Sequence, residues 1–389
     1  MTTGTRASPT RTKRLSVIEV TRDREGVWAY ADLNRVLGET PGLERPVPYA
    51  AADSGLAALG SGPDGQRLYY VDTFGSVVEL VHDGRWLDVR RLTTDFGAPA
   101  AGSGRLAATS AGHPAVHYLD AHGRIVRLQW DGDDSGRWSF RIAQDAPAGS
   151  SATPISALST DADQYAYYLS GRHVIEVRWD TELNQTFRDL TSRTRGADEP
   201  NTAPYSLSSL ATEELGSGAR RVYYPSLTGH LIEIALDGRG DMRGDAFDLT
   251  VTSGAPRTAT PTPMAAFAVE NTRPENTLSR VFYLDEFHGL STMGREGNGW
   301  APKVLEHVPP AARNTSVAGA SDPYSALEYV PFVDAFGHLL TLIRTGNSWD
   351  WVDLSGELDL PRPARQSPLA AVVTDDGAHV YYLTDEPPV

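Results

Sequence analysis

A chain of 389 residues is long enough for one large domain or about two to three ordinary ones, and its 40% hydrophobic content can fill a core. A formal net charge of -15 repels phosphate backbones and so excludes general nucleic-acid binding. Cysteine is absent, which excludes disulfide scaffolds and Cys-based zinc sites, and no apolar run is long enough for membrane insertion.

Met1 to Arg14 holds Thr, Ser, Pro and four basic residues around no apolar centre. It reads as a flexible tail over residues 1–13, ahead of a single domain over 14–389. Without a signal-peptide core the default location is cytoplasmic, with non-classical export or incorporation in a larger particle as the other routes. Leu15–Val20 and Trp28–Leu33 then predict two strands.

From Arg67 onward one phrase recurs: aromatic, aliphatic, often Asp, a turn with Gly, then a second apolar strand. Copies start at Arg67-Leu68-Tyr69-Tyr70-Val71-Asp72, Ala115-Val116-His117-Tyr118-Leu119-Asp120, Tyr165-Ala166-Tyr167-Tyr168-Leu169 and Arg221-Val222-Tyr223-Tyr224. They continue at Arg280-Val281-Phe282-Tyr283-Leu284-Asp285, Pro331-Phe332-Val333-Asp334 and His379-Val380-Tyr381-Tyr382-Leu383. The second aromatic falls at 70, 118, 168, 224, 283, 332 and 382, so the intervals run from 48 to 59 residues. That is the length of one propeller blade.

Each hairpin continues into a Gly-x-aliphatic strand such as Gly75 to Leu80 or Gly123 to Leu128, although the fifth copy puts His288 at the Gly position. A Trp or Phe opens a further strand ending near Asp-Leu-Thr, as in Trp86 to Thr93 and Trp349 to Ser355. A small-residue loop and a Leu-Ala-Ala strand follow, where small side chains suit the crowded axis. No helical period is convincing. The C-terminus supplies only inner strands and the N-terminus only outer ones. The expectation is therefore all-β: a seven-bladed β-propeller of four-stranded antiparallel blades, closed by a composite blade from both termini.

Two pairs stand out, Arg67 with Glu79 and Arg221 with Glu233, each 12 residues apart. With the turn centred on Leu227, Arg221 and Glu233 would face each other across the hairpin. A guanidinium opposite a carboxylate is either a cross-strand ion pair or a small polar site. Sugar hydroxyls donate and accept at once, so such a pair serves two of them, while Trp86 or Trp300 could stack on the apolar face. The repeated Asp at 72, 120, 285 and 334 reads as a turn cap. Asp131 to Gly136 opens like a calcium loop, but Ile142 stands where a bidentate Glu is required, so a hairpin tip is expected. There is no His-Glu-x-x-His, Gly-x-Ser-x-Gly or phosphate-loop motif, so no enzyme, metal or cofactor is expected.

These phrases resemble the fucose-specific propeller lectins of the Aleuria type and, more closely, the seven-bladed bacterial lectins of the Photorhabdus type. The resemblance spans essentially residues 13–389. It implies multivalent binding of fucosylated or related glycans, with an Arg and a Glu on neighbouring strands and an aromatic from the adjacent blade. The pattern carries over to Arg67/Glu79 and Arg221/Glu233, and His379 with Glu19 in the composite blade is similar to bacterial usage. Other blades depart from it: Ala115 with Arg127, Tyr165 with Glu176, Arg280 with Thr292, Tyr329 with Thr341. Those departures leave open a second reading, a propeller that binds a protein partner and has lost the sugar.

Overall fold

The computed structural model describes residues 14–385, apart from 41–45, 63–64, 83–85, 133–136, 151–152, 162, 183, 194–201, 207–208, 217, 270–277, 297–298, 306, 314 and 323–326. The tail expected over 1–13 and most of the Asp131 to Gly136 segment lie outside the described residues.

Strand succeeds strand in chain order. The outer strands β1 (Ser16–Asp23) and β2 (Trp28–Asp32) come first. Blade one follows as β3 (Leu56–Gly62), β4 (Gly65–Val71), β5 (Val77–His82) and β6 (Trp86–Arg91). Blade two is β7 (Ala101–Ala111), β8 (His113–Asp120), β9 (Ile125–Trp130) and β10 (Trp138–Ile142). Blade three is β11 (Ile155–Ser159), β12 (Gln164–Ser170), β13 (His173–Trp179) and β14 (Gln185–Asp189). Blade four is β15 (Ala211–Glu214), β16 (Arg220–Pro225), β17 (Leu231–Leu236) and β18 (Phe247–Asp248). Blade five is β19 (Met264–Val269), β20 (Leu278–Leu284), β21 (Leu290–Glu296) and β22 (Gly299–Val304). Blade six is β23 (Ala320–Ser321), β24 (Glu328–Val333), β25 (Leu339–Thr345) and β26 (Ser348–Asp353). The chain ends with β27 (Leu369–Thr374) and β28 (Gly377–Thr384).

These form seven four-stranded antiparallel sheets. Six are consecutive meanders. The seventh has the order β2-β1-β28-β27, with Ser16 paired to Thr384 and Asp23 to Gly377, so the two ends of the chain close the ring as the repeat count requires. The innermost strands touch in sequence, β3 to β7 and onward to β23, β27 and back to β3. Every sheet is covered by its neighbours, which removes the free faces that an open sheet would leave.

The core lies between the blades. Alternate residues of a strand point to opposite faces, so Tyr70 and Leu68 pack toward the closing blade's Tyr381 and Leu383, while Tyr69 and Val71 pack toward blade two's Val116 and Tyr118. Blade-to-blade packing explains why β4, β8, β12, β16, β20, β24 and β28 are apolar on both faces.

Two local devices repeat. Asp72, Asp120, Asp285 and Asp334 each accept two backbone N–H bonds in their hairpin turn, as from Phe74 and Ser76 at 2.8 and 2.9 Å to Asp72. The expected turn cap is thus present. His288 does occupy the glycine position, with a left-handed φ of 64°.

The second device corrects the sequence reading. The strands do end near these segments, at Asp32, Arg91, Asp248 and Asp353, but the Leu that follows starts a short helix the sequence did not show: α1 (Leu33–Gly38), α2 (Leu92–Phe96), α3 (Leu249–Ser253) and α4 (Leu354–Leu358). Asp32, Asp248 and Asp353 accept an N–H from the first turn of α1, α3 and α4, the usual role of an N-terminal cap. One turn is too short to show a period of 3.6. No described helix is long and apolar enough to cross a membrane.

Candidate functional site

Hairpin geometry places the polar side chains. Ser226 N–H donates to the His230 carbonyl at 2.7 Å, and Gly229 takes φ of 78°, so the loop between them has three residues with its last one left-handed. That shifts the register. Glu233 lies opposite Tyr223 and Arg221 opposite Ala235, so Arg221 and Glu233 are diagonal neighbours on one face rather than facing residues. The same holds in blade one, where Tyr69 faces Glu79 and Arg67 faces Val81. The aromatic between the two charged positions is a third member of each set.

In blade four, Arg221 Nη1 donates to Glu213 Oε1 at 3.1 Å, and Tyr223 donates its hydroxyl to the same oxygen at 2.5 Å. Arg221 Nε lies 3.4 Å from Glu233 Oε2, close enough to attract but not aligned as a hydrogen bond. Trp300 of blade five covers the group, 5.9 Å from the guanidinium and edge-on to Tyr223 at 5.8 Å. Arg221, Glu233 and Trp300 line a cleft of about 350 Å³ between blades four and five, with Arg243, Arg295 and Phe247 at its sides. Two carboxylates share one guanidinium here. Burial, set against the Arg221 charge and aided by Glu213, pushes the Glu233 carboxyl up to about 7. Glu213 is raised by the same burial.

Blade one carries the same residue types but is closed. Arg67 Nη1 donates to Glu79 Oε1 at 2.5 Å, and Tyr69 donates to it at 3.0 Å. Glu79 is wholly buried, and Arg90 and Arg67 both lie over the Trp130 ring, at 4.8 and 5.4 Å.

The closing blade brings His379 and Glu19 together across the junction of the chain ends. His379 Nδ1 lies 3.0 Å from Glu19 Oε1, to which Tyr381 also donates at 2.9 Å, and Trp86 of blade one donates to Oε2 at 2.9 Å. Asp376 holds the other ring nitrogen at 3.2 Å. Burial opposes a charge on either partner. Hydrogen bonds and mutual attraction outweigh it, so His379 rises above 6.5 and Glu19 falls below 4.5.

A position that sequence reasoning missed ties these clefts together. The residue just before the arginine position points to the opposite face, into the preceding blade's cleft. There Gln66 bonds Tyr381, Gln164 accepts from Arg127 at 2.6 Å, Ser279 accepts from Arg221, and Arg220 Nε donates to Tyr167 at 2.9 Å. In blade three, Arg220 also bonds Glu176 at 3.1 Å and lies 3.9 Å from the Tyr165 ring centre, so the cleft is plugged from blade four. In blade five, Arg280 pairs at 3.6 Å with Glu328 of blade six. Glu213 and Trp130 were missed as well. The inner strand and the end of a third strand carry no signal that assigns them to a neighbour's face.

A cleft of about 540 Å³ lies between blade six and the closing blade. It lacks the repeat's Arg and Glu, having Tyr329 and Thr341 in their places. Arg22 of β1 donates to the Tyr329 hydroxyl at 3.1 Å and lies over Trp28 at 5.7 Å.

No family model and no curated protein matches the sequence. Solved structures do. The SapL1 lectin, solved with alpha methyl fucoside, has 18% identity and a TM-score of 0.54 over 78% of this chain and 96% of its own. AofleA from Arthrobotrys oligospora has 13% identity and a TM-score of 0.56 over 87% and 90%. The fucose-specific lectin from Aleuria aurantia has 15% identity and a TM-score of 0.51 over 77% and 95%. Its fold is that of the propeller lectins. The Aleuria aurantia lectin is described as six-bladed, so this propeller has one blade more. Among its described residues no group of acids and histidines is placed to hold a metal ion.

Proposed function

We propose that this propeller is a non-catalytic carbohydrate-binding protein, and that the cleft between blades four and five is its principal sugar site. One observation carries the reading: Arg221, Glu233 and Trp300 converge on an opening of about 350 Å³. Arg221 supplies donors, Glu233 in its ionised form supplies acceptors, and Trp300 offers an apolar face to a pyranose ring. The low identity to the fucose-binding structures leaves the sugar to be measured, with fucose or a relative as the first to test. A site of this size binds a monosaccharide at roughly millimolar to micromolar Kd, and His379/Glu19 with Trp86, or Arg67/Glu79, would add valency on opening.

The test is a glycan array with and without free fucose as competitor, using wild-type protein and the Arg221→Ala and Arg67→Ala variants. Signal lost in Arg221→Ala with cooperative unfolding intact supports the assignment. Undiminished binding when Arg221→Ala and Arg67→Ala are combined rules out both pairs.

A second reading, a scaffold for a protein partner, draws on a different face. Phe74, Phe287 and Phe336 stand 82%, 81% and 72% exposed at hairpin tips of blades one, five and six. A stoichiometric partner retained by Arg221→Ala but lost when the three are changed to Ser would favour it.

A further inference from the structure

Blade two keeps the site's framework and reverses its charge. Where the repeat holds Glu19, Glu79, Glu176 and Glu233, blade two holds Arg127; where Tyr69, Tyr167 and Tyr223 stand, it holds His117. Arg127 is 3% exposed. Its Nε and Nη2 donate only to the amide oxygens of Gln164 and Gln129, and its buried Nη1 has no partner. Directly across the strands lies Arg141, so two guanidiniums face each other, an arrangement that repels. Among the described residues neither has a carboxylate within ion-pair distance. Asp131, which acts on Arg127 by charge, accepts the Ser139 hydroxyl at 2.9 Å.

The remaining groups on this face are donors too. His117 is wholly buried with both ring nitrogens unpartnered, and burial, with the Arg127 charge, pushes its pKa down to about 3. It is therefore neutral near pH 7 and keeps one N–H to give. The Thr109 hydroxyl, on the same face, is buried without a partner. Trp179 of blade three covers the set, 5.1 Å from His117 and 5.7 Å from Arg127. A buried cation is stable only when paired and hydrogen-bonded. An oxyanion or halide among these donors would meet both needs.

We propose that the donor-lined face between blades two and three is an anion site, taking a carboxylate or sulfate group that is either free or borne by an acidic saccharide. It does not rest on the neutral-sugar reading of blade four, because a bare halide probes it. Crystals of wild-type protein soaked in bromide should show an anomalous peak within hydrogen-bonding distance of Arg127 Nη1, absent in Arg127→Gln. Absence of that peak in wild-type crystals overturns the proposal, whether or not neutral glycans bind. On an array of uronic-acid and sulfated glycans, a loss of about tenfold or more in Arg127→Gln, with cooperative unfolding intact, supports a saccharide as the source. A bromide peak with no acidic glycan retained supports a free anion. Arg127→Glu, which restores the repeat's carboxylate, should abolish the peak in a fold the other blades already tolerate.

Discussion

Glu233 shows how one side chain links binding to pH. Burial raises its carboxyl to about 7 from an ordinary 4.5, so the folded protein holds a proton there that the unfolded chain has released. The stabilisation this gives is complete below 4.5 and is lost as pH rises through about 7. The proposed sugar binding would have the opposite sign, since the acceptor is the ionised form. Titration calorimetry should show affinity rising between pH 6 and 8, and Glu233→Gln should flatten that rise; a rise of the same size in the variant would remove Glu233 from the site. Arg220 illustrates the other outcome of burying charge. It is 1% exposed and shares the buried Glu176 carboxylate with Arg188, so Arg220→Met should cost about 1–3 kcal/mol by leaving that carboxylate partly stranded, with Arg188 its remaining cation. Adding Glu176→Gln should recover most of it in denaturant unfolding. If the double variant is as unstable as the single one, stranded charge is not the cause.

Elements divide into those the sequence makes legible and those it hides. Strands of the second and third rank announce themselves, because burial between blades demands Tyr-Tyr and Val-Ile runs at a repeating interval. The turn Asp and the glycine after it are equally visible, each performing a local task. Gly123 has φ of 74°, and a Cβ there would come within 2.1 Å of the Gly149 carbonyl oxygen, so Gly123→Ala should lose more than about 1 kcal/mol. A variant within a few tenths of wild type in denaturant unfolding would contradict that packing. The one-turn helices stayed hidden because Asp-Leu-Thr after a strand is also what a strand end looks like. The register slipped by one step because the turn residues alone do not show whether Gly229 belongs inside the loop. The Arg and Glu of the proposed site were legible from spacing within one blade, and Trp300 from its aromatic type. Glu213, Arg220 and Gln164 were not, since their role depends on the neighbouring face.

For the whole molecule, stability depends on how the ring is closed. The His379–Glu19 contact joins the two ends of the chain, and its two charges set a pH window. The raised histidine contributes fully below 6.5 and loses its contribution as pH rises through its folded value; the lowered carboxylate contributes above 4.5 and loses it as pH falls. The melting temperature should therefore fall on going from pH 6 to 9, and His379→Gln should shrink that fall; an equal fall in the variant would assign the pH response elsewhere. The same junction has a mechanical side. Because Ser16 pairs with Thr384, both ends leave the closing blade at one edge. Tension applied between the termini would load one rung at a time and peel β1 from β28 like a zipper, at low force. Tension applied from Ser16 to Gly377, at opposite ends of the ladder, would instead shear every rung at once. A propeller tethered by both tails would thus open under slight pulling at the seam between its ends, while the six meander blades remained folded.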